Sequence, residues 1–105
     1  MALTVLAGCD TQIRKSDAEL GLNPQQAAGR RIYDVQCLHC HASYTTEGRV
    51  AMSLKGIFQK SAMPSGVPAN DERVGEVILR GKRMMPPIPM SQDQLRDLLT
   101  YMHTL

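Results

Sequence analysis

The sequence predicts a small all-α protein, and three capped helical segments are the observations behind this prediction. The segments begin near Asn23, Asn70 and Ser91, and each combines a capping side chain with an apolar stripe at helical spacing. Between Ala42 and Asn70 the periodicity fails, and glycines and prolines divide the chain into turns. At 105 residues the chain forms one domain, whose core is marginal without further stabilisation.

The first helix is predicted to begin after Asn23, its N-cap, with Pro24 in the first helical position and Gln26 in the capping-box position. Two neighbouring apolar stripes follow, one of Ala28, Ile32 and Val35 and the other of Gly29 and Tyr33. The solvent side is expected to carry Arg30, Arg31 and Asp34.

The second helix is predicted to be capped by Asn70 or Asp71 and to end at Gly81. Its inner face is expected to consist of Val74, Val77 and Ile78. The last helix begins with a capping box formed by Ser91 and Gln94. An amphipathic stripe follows, made of Leu95, Leu98, Leu99 and Met102.

A proline-rich strap, Met85 to Met90, separates these two helices. Its three prolines exclude a helix and hold the backbone extended, so Met85 is presented at a fixed place. The basic residues Arg80, Lys82 and Arg83 flank the strap. They form either an ordinary solvated surface or a docking face for an acidic partner, and both interpretations stay open.

The pentapeptide Cys37-Leu38-His39-Cys40-His41 indicates the chemistry of the protein. Two thiols three positions apart suit thioether bonds to the vinyl groups of haem, with His41 placed as the proximal axial ligand. A zinc site would need a second Cys or His pair, and a redox dithiol would follow a strand, so both are weaker alternatives. The chain has no Trp and one Phe, and a porphyrin would supply the missing apolar surface. A net charge of +2 is too mild to indicate nucleic acid.

The order of helix, Cys-x-x-Cys-His, long loop, helix, Met-Pro strap and terminal helix resembles a class I c-type cytochrome. The stretches that carry the resemblance are Cys37 to His41, Leu54-Lys55-Gly56-Ile57, Met85-Pro86 and Leu98 to Tyr101. The resemblance implies a cytochrome c-like fold at residues 23–105, with three to five helices wrapped around one covalently bound haem c. The long loop would line the cofactor through Met52, Leu54, Ile57, Phe58 and Met63.

The resemblance also implies a one-electron carrier rather than an enzyme, cycling between Fe(III) and Fe(II) with His41 and Met85 as axial ligands. Met84 and then Met63 are the rivals of Met85, whereas His39 and His103 are expected at the surface. The alternative is a haem enzyme or gas sensor with a labile sixth ligand, which a dedicated thioether disfavours because it closes the iron. The implied partners are redox proteins, acting alone or within a larger respiratory or dehydrogenase complex.

Two local expectations follow from the family pattern. Its crossing of first and last helices maps onto Gly29 and Tyr33 against Leu98 and Tyr101, where a small residue lets the axes approach. The family often has a proline before the Leu-x-Gly stretch, whose carbonyl accepts the Nδ1 proton of the proximal histidine. Here Ala51-Met52-Ser53 has no proline, so another main-chain carbonyl of that neighbourhood is expected to accept it.

The start of the chain resembles the end of a bacterial lipoprotein signal. Residues 1–8 read as a truncated signal remnant ending Leu6-Ala7-Gly8, and Cys9 as the acylated first residue of the mature protein. Residues 9–22 are predicted to be a flexible linker with a reach of about 20 Å. The resulting location is the periplasmic side of a bacterial membrane, lipid-anchored through Cys9. The alternative is a soluble periplasmic protein, with Cys9 a free thiol.

Overall fold

The computed structural model describes residues 11–47 and 50–105, and within these ranges its regular structure is helical. The α-helices are α1 at Pro24–Gln36, α2 at Asp71–Arg80 and α3 at Gln92–Met102. Short 3-10 helices occur at Thr11–Arg14 and Ile57–Gln59. The predicted all-α fold is therefore confirmed. No helix in the described part of the chain is long and apolar enough to cross a membrane.

The helices begin where the capping residues predict. At α1, Asn23 and Gln26 bond reciprocally, each backbone N–H donating to the other side chain at 2.8 Å. Ser91 and Gln94 form the same box at α3, with distances of 3.0 and 3.1 Å. Asn70, rather than Asp71, caps α2 by accepting the Arg73 N–H at 2.9 Å. Local hydrogen bonds of this kind satisfy amide groups that the helix leaves unpaired.

The crossing of α1 and α3 is the centre of the fold, and it takes place at Gly29. A Cβ placed on Gly29 would lie 1.9 Å from the Asp97 carbonyl oxygen, so only hydrogen fits between the two helices. One turn later Tyr33 meets Tyr101 edge to face, with ring centroids 5.4 Å apart, and both residues are fully buried. The crossing predicted from the family pattern is confirmed.

The face of α1 that packs is narrower than the sequence predicts. Gly29 and Tyr33 are buried, but Ala28 is exposed, Ile32 is only partly buried and Val35 is 73% exposed. Of the two apolar stripes predicted for α1, only the one made of Gly29 and Tyr33 is therefore buried. The close approach at Gly29 turns one side of α1 towards α3, which leaves the adjoining stripe at the edge or in solvent.

The segment before α1 corrects a second expectation. Arg30, expected on the solvent side, is only 6% exposed, because it binds oxygens of the segment between Ile13 and Asp17. Residues 13–22 of the predicted flexible linker therefore lie against α1 in the structure. Residues 1–10, including the signal remnant and Cys9, lie outside the described residues, and the domain start at residue 23 stays a prediction.

Candidate functional site

The pentapeptide lies at the end of α1 as a hydrogen-bonded turn. Cys37 is the C-cap of α1, and its N–H donates to the Tyr33 carbonyl at 2.8 Å. The N–H groups of Cys40 and His41 both donate to the Cys37 carbonyl, at 3.1 and 2.8 Å. Cys37 is buried, Cys40 is partly exposed, and neither forms a disulfide. The turn thus brings two free thiols and the imidazole of His41 together.

The ring of His41 is oriented by a backbone carbonyl. Its Nδ1 lies 2.7 Å from the Met52 carbonyl oxygen. A carbonyl only accepts, so Nδ1 donates, and in the neutral ring Nε2 then keeps a lone pair for a metal. The expectation of a main-chain acceptor within Ala51-Met52-Ser53 is confirmed. The loop is held in place because Ala51 donates to the Cys40 carbonyl at 3.0 Å.

Tyr33 supports the same turn through its hydroxyl group, which the sequence reasoning missed. The hydroxyl donates to the His41 carbonyl at 3.0 Å, while the ring packs on Tyr101. The available signal was a tyrosine on a buried helix face, since a buried tyrosine hydroxyl normally needs a partner. Tyr101 in turn shares a hydrogen bond with Tyr44. Burial is the larger cause, and this hydrogen bond the next, of a raised pKa of the Tyr101 hydroxyl.

A cavity of about 300 Å³ lies beside the pentapeptide. Its wall is mostly apolar and includes Cys37, His41, Met52, Leu54, Ile57, Met63, Val74, Ile78 and Met85. Four of the five loop residues expected to line the cofactor are therefore in place. The fifth, Phe58, stacks on His103 with ring centroids 3.8 Å apart. His103 is exposed as expected, and it contacts Asp71 Oδ1 at 2.6 Å.

The strap places Met85 at this cavity and leaves Met84 in solvent. Lys82 and Met85 exchange two backbone hydrogen bonds of 3.0 Å, which close a tight turn containing Arg83 at φ 54°. Further along, the Ile88 N–H donates to the Ile78 carbonyl at 2.9 Å, which fastens the strap to α2. Met85 is partly buried in the cavity wall, whereas Met84 is 96% exposed.

Gly81, between α2 and the turn, is required by both its conformation and its surroundings. Its φ of 75° is in the left-handed region that favours glycine. A Cβ there would lie 2.6 Å from the Met85 carbonyl oxygen and 2.7 Å from the Pro87 nitrogen. The strap can therefore turn back onto α2 only because residue 81 has no side chain.

The remaining polar candidates lie at the surface. Arg80, Lys82 and Arg83 are exposed, and the last two also border the cavity. His39 is exposed, as expected for the histidine that does not face the cavity. The exposure of the three basic residues is compatible with both interpretations drawn from the sequence, an ordinary solvated surface and a docking face for an acidic partner.

The residues around the cavity fit a covalently bound haem. They supply two thiols on one turn, an imidazole with a free Nε2, a thioether and apolar walls. Burial, and then the charge of Asp34, raises the pKa of the Cys37 thiol to about 12. A redox dithiol requires a lowered thiol pKa, so this environment opposes that alternative. Among residues 11–47 and 50–105, no group of three or more Cys, His, Asp and Glu side chains has the arrangement to hold a metal ion by itself.

Comparison with known proteins agrees with this geometry. A family model described as cytochrome C oxidase, cbb3-type, subunit III matches residues 24–102, which include the pentapeptide, the cavity and the strap. A search of the curated proteins finds no match. A domain of this type binds haem c covalently, serves in haem-based electron transfer, and in bacteria lies outside the cytoplasm. The chain therefore belongs to the cytochrome C oxidase, cbb3-type, subunit III family and is a c-type cytochrome.

Proposed function

We propose that the protein is a one-electron carrier in which His41 and Met85 are the two axial ligands of the haem iron. The observation that carries this proposal is the strap, whose hydrogen-bonded turn places Met85, and not Met84, in the wall of the cavity that also contains His41. The bound haem would supply the Fe(III)/Fe(II) couple.

Each side chain has a definite part in this function. His41 offers Nε2 because the Met52 carbonyl occupies Nδ1, and such a bond fixes the ring and raises its basicity. Met85 offers a soft thioether, which favours the ferrous state and raises the potential relative to a second imidazole. The turn and the two prolines after Met85 restrict its backbone, so little freedom is lost on ligation. With both His41 and Met85 bound, the haem iron would have no ligand position open to a substrate.

A redox titration combined with carbon monoxide tests the function. We expect a single reversible one-electron transition, and no carbon monoxide adduct of the native ferrous protein, because Met85 occupies the sixth position. Ferrous protein unfolded in urea is the control, since the strap then no longer holds Met85 and the adduct should form. Full binding of carbon monoxide to the native protein would instead support the gas sensor or haem enzyme.

We also propose that the domain delivers electrons to redox proteins while anchored on the periplasmic side of the membrane through Cys9. The sequence Leu6-Ala7-Gly8-Cys9 supports the anchor, and the family match supports a respiratory setting. Mass spectrometry of membrane-extracted protein should find a diacylglyceryl group on Cys9. A soluble chain with a free Cys9 thiol would exclude the anchor.

A further inference from the structure

The segment that leads from Cys9 to the domain is fastened to α1 by a buried arginine. Arg30 is 6% exposed, and its guanidinium donates to Asp17 Oδ1 at 2.9 Å and to the carbonyls of Ile13 and Lys15 at 3.2 and 2.7 Å. Arg31 binds the other oxygen of the same carboxylate. Charge-assisted hydrogen bonds are roughly twice as strong as neutral ones. We call Ile13, Lys15, Asp17, Arg30 and Arg31 the tether clamp.

The chain between the clamp and α1 is held by local hydrogen bonds. Ser16 and Glu19 bond reciprocally, with distances of 3.0 and 3.2 Å, in the manner of a capping box. The Leu22 N–H donates to the Asp17 carbonyl at 3.0 Å, and the Leu22 side chain packs against the core. The segment from Ile13 to Leu22 is therefore fastened to α1 and to the core.

The clamp shortens the distance that the domain can move from Cys9. A coil from Cys9 to Leu22 would have a root-mean-square reach of about 20 Å and a fully extended length of about 45 Å. With the clamp closed, only four residue steps separate Cys9 from Ile13. The part from Thr11 onwards is a 3-10 helix, so the span is less than the length of about 14 Å that four fully extended residues would have.

The charges beside the clamp suit a lipid surface. Arg14 and Lys15 are exposed where the tether enters the domain, and the Arg31 side chain is 62% exposed. Basic residues near a membrane are attracted to anionic lipid headgroups. The hydrogen bonds from Arg31, and then from Arg30, lower the pKa of Asp17 below its ordinary value of 3.8. A lowered native pKa contributes stability above 3.8 that is lost as the pH falls through the native value, so the ionised Asp17 carboxylate stabilises the clamp at neutral pH.

We propose that the tether clamp holds the cytochrome domain against the lipid surface to which Cys9 is attached, with Arg14 and Lys15 towards the headgroups. This inference rests on the proposed anchor at Cys9 and does not depend on the axial ligands. The domain is then held at a short and nearly constant height, which suits a redox partner embedded in the same membrane.

Trypsin cleavage tests the clamp itself. In haem-loaded Cys9→Ser protein, cleavage after Lys15 requires release of a carbonyl that Arg30 holds, so it should be slow. Asp17→Ala removes the acceptor shared by both arginines and should speed this cleavage at least about tenfold. The matched control is Asp93→Ala, which removes the exposed Asp93–Arg96 pair and should change nothing. An unchanged visible spectrum shows that the haem domain is intact, and equal cleavage of Asp17→Ala and its parent would overturn the clamp.

Energy transfer on vesicles tests the height of the domain. Once Cys37 and Cys40 are bound to haem, Cys9 is the last thiol of the three and can be coupled to a maleimide lipid. In vesicles of phosphatidylethanolamine and phosphatidylglycerol, the haem should quench a headgroup fluorophore strongly. Asp17→Ala should weaken the quenching because the longer tether lets the domain move away, and Asp93→Ala should not. Equal quenching by the unmutated chain and Asp17→Ala would overturn the proposal.

These experiments distinguish a failure of the proposed lipid anchor at Cys9 from a failure of the tether clamp. Chemical coupling makes the vesicle result independent of natural acylation, so mass spectrometry alone decides whether Cys9 is lipidated in the cell. Neither the trypsin rate nor the quenching depends on whether Met85 ligates the iron. An effect of Asp17→Ala in both experiments, together with an acylated Cys9, is the supporting result.

Discussion

Replacing both Cys37 and Cys40 with serine is expected to leave no haem covalently attached to the chain. A serine hydroxyl does not form the thioether that joins a cysteine to a haem vinyl group, and these two cysteines lie together on one turn after α1. The variant should be expressed with a cytochrome c maturation system and examined by haem staining on a denaturing gel. The expected result is complete loss of the stain.

The matched control is Cys9→Ser, which removes the third cysteine and should keep full haem staining. The double variant should also lose thermal stability, because a cavity of about 300 Å³ with largely apolar walls would be left without its occupant. A stain that persists in the double variant would show that the haem is attached elsewhere.

Replacing Met85 with alanine is expected to open the iron and lower its potential. The thioether would be removed, while the turn between Lys82 and Met85 uses only backbone atoms and should persist. The weak near-infrared sulfur-to-iron band of the ferric protein should vanish, as the resemblance to class I cytochromes implies. Carbon monoxide should then bind the ferrous protein at one equivalent, which a spectroscopic titration measures. The potential should fall because a soft ligand of the ferrous state is lost.

Met84→Ala is the matched control, since it removes the same side chain one residue away. Met84 is 96% exposed, so its loss should change neither the band, nor the potential, nor carbon monoxide binding. Met63→Ala is a second control, because Met63 lines the same cavity. Loss of the band in Met63→Ala but not in Met85→Ala would assign the ligand to Met63. The same pattern in Met84→Ala would require the strap to rearrange.

The features predicted correctly from the sequence depend on residues close together in the chain. The capping boxes at Asn23 and Ser91 each join two residues that are three positions apart in the chain. The local sequence alone therefore locates the start of each helix. The attachment motif is also local, because both thiols and His41 lie on one turn. Gly29 was identified as the crossing point only through the family pattern, since a glycine in a helix has no unique meaning by itself.

The sequence by itself determined the all-α class, the helix starts and the set of residues available for a haem. Only the tertiary structure decided which backbone carbonyl orients His41, that Tyr33 bonds the His41 carbonyl, and that Met85 rather than Met84 faces the cavity. It also decided that Arg30 is buried, because its partners lie 13 to 17 residues earlier in the chain. The physical reason is that caps and turns are set by neighbouring residues. Burial and ring orientation depend on which distant segments the close approach at Gly29 brings together.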